Sequence, residues 1–165
     1  MITDRAGFHV RRLQQIWSAQ IQRCFREAGY EMTAVQFAAL ELVVDHPGLD
    51  QTDLALRIGY DRATTGGVVA RLEKMGYLDR AAAPNDRRSR ILVPTAAGRA
   101  ALVELQRLAQ DADELVLAPL DGEAREMLCG VLRKVVAAGN RLGVAPEFRP
   151  LGKEAEAAQD SASRC

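Results

Sequence analysis

Between residues 50 and 76 the chain starts a helix, stops it, and starts another within three residues. Asp50 stands where a side-chain oxygen caps the segment QTDLALRI, with Leu49 and Leu54 spaced as a hydrophobic staple. Gly59 supplies the left-handed residue that ends this helix. Asp61 then caps a second helix that runs to Met75, and Gly76 ends it. Two short helices joined by a tight, glycine-containing turn form a helix-turn-helix, and the rest of the chain must be arranged around that unit.

The flanks are mostly helical. From residue 8 to 28, Val10, Leu13, Ile16, Trp17, Ile21, Cys24, Phe25 and Ala28 recur at spacings of three and four, which draws one apolar stripe along a helix that Gly29 ends. Thr33 and Gln36 have capping-box spacing, Met32 and Phe37 form a staple, and the helix they open should run to about Asp45, before His46-Pro47-Gly48. Beyond Gly76 lie two short apolar runs, Tyr77-Leu78 and Ile91-Leu92-Val93, separated by a polar segment with Pro84, Asn85 and Asp86. They predict a β-hairpin with a long basic tip. Thr95 caps a long helix to about Ala118, ended by Pro119, and Asp121 caps a last helix with Met127, Leu128, Val131, Leu132, Val135 and Val136 on its apolar side. From Ala145 on the chain has little to bury, and residues 145–165 are expected to be disordered. The fold class is therefore mainly α with a small β-wing.

Composition narrows the function. A chain of 165 residues, 48% hydrophobic and 27% charged, is expected to form one soluble domain. No apolar run nears the roughly 20 residues that span a bilayer, and the N-terminus has no signal-peptide core, so the expected location is cytoplasmic. Cys24, Cys129 and Cys165 are widely spaced and odd in number, which argues against a disulfide framework and a zinc site. With only His9 and His46 as histidines, and no nucleophile elbow, phosphate loop or metal-ligand cluster, neither an enzyme nor a cofactor is expected. Asp111 and Asp113, two apart on a helix, read as a solvated face. The formal net charge is zero, yet residues 57–90 carry +4 and residues 31–56 carry −5. A local basic surplus is what contact with a polyanion requires.

The segment DQTDLALRIGYDRATTGGVVARLEKMGYLDR, followed by DRRSRILVPTAAG, resembles the MarR (multiple antibiotic resistance regulator) family of winged helix-turn-helix transcription factors. The likeness covers roughly residues 8–142. Its sharpest motif is Asp86-x-Arg88 in the wing, with Thr95-x-x-Gly98 beyond it. The resemblance implies a domain over residues 1–144, with a DNA-binding lobe at about 30–95 and dimerisation helices at 5–29 and 95–142. It also implies that Arg88 enters the minor groove of an operator while Asp86 orients its guanidinium. The physical reading agrees, because a narrow basic hairpin can enter that groove and its arginine reads width and negative potential. Arg87 and Arg90 are placed for phosphates. The second helix of the helix-turn-helix should enter the major groove, with Arg62, Ala63, Thr64, Thr65, Gly66 and Gly67 toward the bases and Arg71 toward phosphate. Gly66 and Gly67 each cost about 1 kcal/mol against Ala within a helix. Close approach to DNA or tight packing on a neighbouring helix would account for them equally well.

By the same resemblance the protein is a homodimer on a pseudo-palindromic double-stranded DNA operator, most often a repressor, released by a small aromatic carboxylate. Candidate effector contacts are His9, Arg12 and Ile16 on one edge of the first helix, with Trp17 and Phe37 as aromatic surface. Two rivals remain open at this point. One is a thiol-based redox sensor acting through Cys24, although that cysteine falls on the apolar stripe, where a thiol is inert. The other is a winged helix that binds protein instead of DNA.

Overall fold

The computed structural model describes residues 2–83 and 86–141, and for residue 2 and residues 86–89 the backbone alone. After a single 3-10 turn come α1 (Ala6–Glu27), α2 (Ala34–Asp45), α3 (Gln51–Ile58), α4 (Arg62–Lys74), β1 (Leu78–Ala83), β2 (Asp86–Pro94), α5 (Ala96–Leu117) and α6 (Gly122–Arg141). The caps lie where the sequence places them. Thr33 and Gln36 make both bonds of the capping box, at 3.3 and 3.0 Å. Asp50 accepts from the backbone N–H groups of Thr52 and Asp53, and Gly59 takes φ +70° at the end of α3. Asp121 accepts from the backbone N–H of Ala124 at the start of α6.

One core joins these elements. Phe25 of α1, Leu40 and Val43 of α2, Leu54 of α3, Val69 and Leu72 of α4, Leu78 of β1 and Leu105 of α5 are fully buried within it. The Phe25 and Phe37 rings meet edge to face, with centroids 5.4 Å apart. α1 packs along α5, which brings Trp17 to Asp113, and the indole N–H donates to that carboxylate. Asp113 is thus an inter-helix partner and not part of a solvated face, a correction to the sequence reading. Asp111 does stay exposed, paired with Arg107 at 2.8 Å. α6 stands apart: no residue of it is buried, and Met127, Val131, Val135 and Val136 are all at least half exposed.

The hairpin differs from expectation in extent. β1 and β2 pair antiparallel from Leu78↔Pro94 to Ala82↔Arg90, with an irregularity at Ala83↔Asp86. The arginines of the expected tip therefore belong to strand β2: Arg90 pairs with Ala82, and Arg87 and Arg88 fall at the irregularity between that pair and Ala83↔Asp86. The tip residues Pro84 and Asn85, the side chains of Asp86, Arg87 and Arg88, and the expected tail 145–165 lie outside the described residues.

Candidate nucleic-acid interface

The wing is fastened to the helix-turn-helix at its base and near its middle. At its base, Thr95 donates its backbone N–H to the Tyr77 carbonyl at 3.0 Å and its hydroxyl to the Gly76 carbonyl at 2.6 Å. The same hydroxyl accepts from the Gly98 N–H and so caps α5. A Cβ at position 98 would stand 2.2 Å from the Tyr77 carbonyl oxygen, so only glycine admits this contact. The Thr95-x-x-Gly98 spacing thus has a mechanical meaning: one residue joins wing, recognition helix and α5, and the other leaves room for the joint. Nearer the middle of the wing, Leu92 donates to the Leu49 carbonyl at 2.8 Å, and Asp50 bridges Ile91. Arg80 of β1 also pairs with Glu73 of α4 at 3.1 Å. Wing, α3 and α4 therefore form one body.

On α4, the exposed side chains of the first turns are Arg62, Ala63 and Thr64, followed by Gly67 and Ala70. Thr65 is fully buried, and its hydroxyl donates to the Asp61 carbonyl at 2.8 Å. The expectation that Thr65 faces the bases is corrected: the helix phase turns it into the core. The paired glycines separate into two cases. A Cβ on Gly66 would meet Gln51 Nε2 of α3 at 3.1 Å, so packing between the two helices accounts for this glycine. Gly67 is exposed, with nothing within 4 Å of where its Cβ would be. Packing does not explain it.

Asp61 holds the front of α4. Its Oδ1 accepts from the Thr64 backbone N–H and its Oδ2 from the Thr64 hydroxyl, both at 2.8 Å. These bonds, the backbone one first, keep its carboxyl below the usual aspartate range. Arg71, further along, is 3.6 Å from Glu31, and Lys74 and Arg90 are exposed.

A cleft of about 670 Å³ opens between this lobe and α1. Gln14, Ser18 and Gln22 of α1 face Val35, Ala38 and Leu42 of α2 across it, and Arg57 and Tyr60 close one end. None of the expected effector residues lines it. His9, Arg12 and Ile16 lie on the exposed side of α1, Trp17 is committed to Asp113, and Phe37 borders a separate, smaller hollow against α5. Periodicity marked the apolar stripe of α1 but could not show which edge of it borders this cleft, so its lining residues Gln14, Ser18 and Arg57 do not stand out in the sequence. Cys24 is buried at 8% exposure with its sulfur accepting from Gln20 Nε2 at 3.6 Å, while Cys129 is exposed. No cluster of His, Cys, Asp and Glu able to hold a metal ion occurs among the described residues, and no helix there is long and apolar enough to cross a membrane.

Known proteins share this arrangement. A model of the MarR family matches residues 30–89, the lobe from the end of α1 into the wing. The transcriptional regulator HosA of Escherichia coli O111:H- is 30% identical over 138 residues, covering 84% of this chain and all of that one. The solved structure of Bordetella bronchiseptica BpsR, described as regulated in its DNA binding by 6-hydroxynicotinic acid, superposes with a TM-score of 0.75 at 27% identity, over 82% of this chain and 95% of the other. CouR, a transcriptional repressor solved bound to a 23-mer DNA duplex, gives a TM-score of 0.74 at 28% identity, over 81% and 94%.

Proposed function

Because this chain belongs to the MarR family of DNA-binding transcriptional regulators, we propose that it is a homodimeric repressor released from a pseudo-palindromic operator by a small aromatic carboxylate. The observation that carries the reading is the single body formed by the exposed first turn of α4 and the arginine-bearing strand β2, tied through Thr95, Gly76 and Leu49. In this reading Arg62, Thr64 and Gly67 approach base edges in the major groove. Arg88 enters the minor groove with Asp86 beside it, and Arg71, Arg87 and Arg90 meet phosphates. CouR on its duplex and BpsR with its aromatic acid are the relatives that support the two halves of the proposal.

The dimer follows from α6. Its exposed Met127, Val131, Val135 and Val136, together with Phe8, Val10 and Ile16 near the start of α1, form more apolar surface than a solitary protomer leaves to water. Two recognition helices would then address half-sites about one helical turn apart. The effector belongs in the cleft between α1, α2 and α3, where the Arg57 guanidinium suits a carboxylate and Tyr60 an aromatic ring. Arg12, with His9 on the same edge of α1, offers a second site for a carboxylate, because the exposed N-terminal part of α1 would lie against the partner. To reverse operator occupancy fully, an effector must favour the released state about 10⁴-fold, or about 5.5 kcal/mol.

The test is a gel-shift titration on DNA flanking the protein's own gene, repeated with a panel of aromatic acids. We expect a nanomolar shift that one compound abolishes, and Arg57→Ala to keep the shift while losing the response. If Arg12→Ala loses the response in its place, the effector sits at the dimer edge. Arg88→Ala should weaken binding at every sequence and lower the slope of log K against log salt by about one. No shift at low salt would make the winged helix a protein-binding module.

A further inference from the structure

Residues 62–70 of α4 expose four side chains, Arg62, Ala63, Thr64 and Ala70, with the bare backbone of Gly67, and two of these side chains can hydrogen-bond: Arg62 and Thr64. Arg62 is a donor whatever surrounds it. Thr64 is a different case, because a hydroxyl carries one donor and two acceptor sites and reads a base edge either way unless something fixes its proton. Asp61 fixes it. The Asp61 Oδ2 accepts the Thr64 hydroxyl proton at 2.8 Å, while Oδ1 is held by the Thr64 backbone N–H at the same distance. The carboxylate is therefore locked to Thr64 through two bonds, and an ionised carboxylate can only accept. What remains of the exposed hydroxyl is its lone pairs.

We propose that Asp61 sets the polarity of base reading: by taking the Thr64 hydroxyl proton, it makes Thr64 an acceptor that selects an adenine N6 or cytosine N4 amino group in the major groove. Guanine and thymine present N7, O6 and O4 there, all of them acceptors, which the lone pairs of Thr64 would oppose. The inference rests on α4 lying in the major groove, as proposed above, and makes Asp61 a positioning residue that acts through Thr64. It also gives the helix cap a second task, since the carboxylate that satisfies a first-turn N–H aims the neighbouring hydroxyl as well.

The decisive variant is Asp61→Asn. The Thr64 backbone N–H can only donate, so it must keep the Asn carbonyl oxygen, and the Asn amide nitrogen then falls opposite the Thr64 hydroxyl. That nitrogen donates, the hydroxyl accepts from it, and its proton is left to point at the base. Asn also caps helices as well as Asp does, so α4 should be retained. The experiment selects full-length protein on a randomised half-site built into its own operator and sequences the bound fraction. For the wild type, one symmetric pair of positions should favour A or C. Asp61→Asn should shift that pair toward G or T by about tenfold, the discrimination a good base contact supplies. Thr64→Val should flatten that pair alone, and Thr64→Ser should restore it. These last two variants keep the cap and decide the matter if Asp61→Asn does not fold.

A wild-type preference for G or T at the position that Thr64→Val flattens would overturn the proposal. So would an unchanged profile in both Asp61→Asn and Thr64→Val. Failure of the wild type to select any sequence would remove the groove reading, and the inference with it. Selection by the wild type with no Thr64-dependent position would remove the inference alone.

Discussion

At the scale of single residues, three glycines make opposite demands on the same helical geometry. Gly98 has the Tyr77 carbonyl 2.2 Å from where a Cβ would stand, and that oxygen is backbone held by Thr95. Gly98→Ala must push the wing base off α5, and an overpacked site of this kind costs about 1–3 kcal/mol. Thermal denaturation should show the melting temperature falling by several degrees. Gly67 meets nothing, so Gly67→Ala should raise stability by about 1 kcal/mol through helix propensity. If the bare backbone there is kept for contact with DNA, the same variant should bind operator more weakly. Higher melting temperature with lower affinity is the expected pair of results, and unchanged affinity would remove Gly67 from the interface. Gly66 lies between these, facing the flexible end of Gln51.

At the scale of elements, the α4 cap should be sensitive to acid. Hydrogen bonds from Thr64 depress the Asp61 carboxyl, so the folded form binds its proton less readily than the unfolded chain. The stability this contributes is complete above the ordinary aspartate range, near pH 4, and is lost as pH falls through the lower folded value. Protection of the Thr64 amide, its exchange relative to that of the unstructured chain, should therefore fall below about pH 4, and Asp61→Asn should remove that dependence. The cap itself was legible in the sequence, as were those of α2, α3, α5 and α6, because a capping residue acts within three positions of itself. The wing was legible only in part. LDRAAA and DRRSR carry no apolar alternation, and their pairing comes from a backbone ladder that reports nothing in side-chain pattern. Thr65 was misplaced because the face of α4 that meets the core is set by its packing on α2 and α3, not by its own composition. The cleft was invisible for a related reason: its walls come from three helices whose mutual angles no single stretch encodes.

At the scale of the whole molecule, α6 carries the proposed assembly. A helix of 20 residues with none buried, and with four large apolar side chains at least half exposed, is unfinished in one protomer. Wild-type protein should sediment as a dimer. Val131→Glu with Val135→Glu should sediment as a monomer and lose at least 100-fold in operator affinity, since the second half-site would no longer be bound within the same complex. A doubly substituted protein that stays dimeric would place the interface elsewhere. Trp17 and Asp113, with Glu41 and Gln106, link α1 and α2 to α5 inside the protomer. They should be unaffected by the change.

The bond from Leu92 to Leu49, with the Asp50–Ile91 bridge beside it, has a consequence for how such a regulator lets go. In the proposed dimer each half would work like one jaw of a caliper, cast in a single piece. A small molecule wedged at the hinge would alter the gap between the jaws without reshaping either one. Both grooves of a half-site would then be gripped or released together, and regulation would become a matter of span.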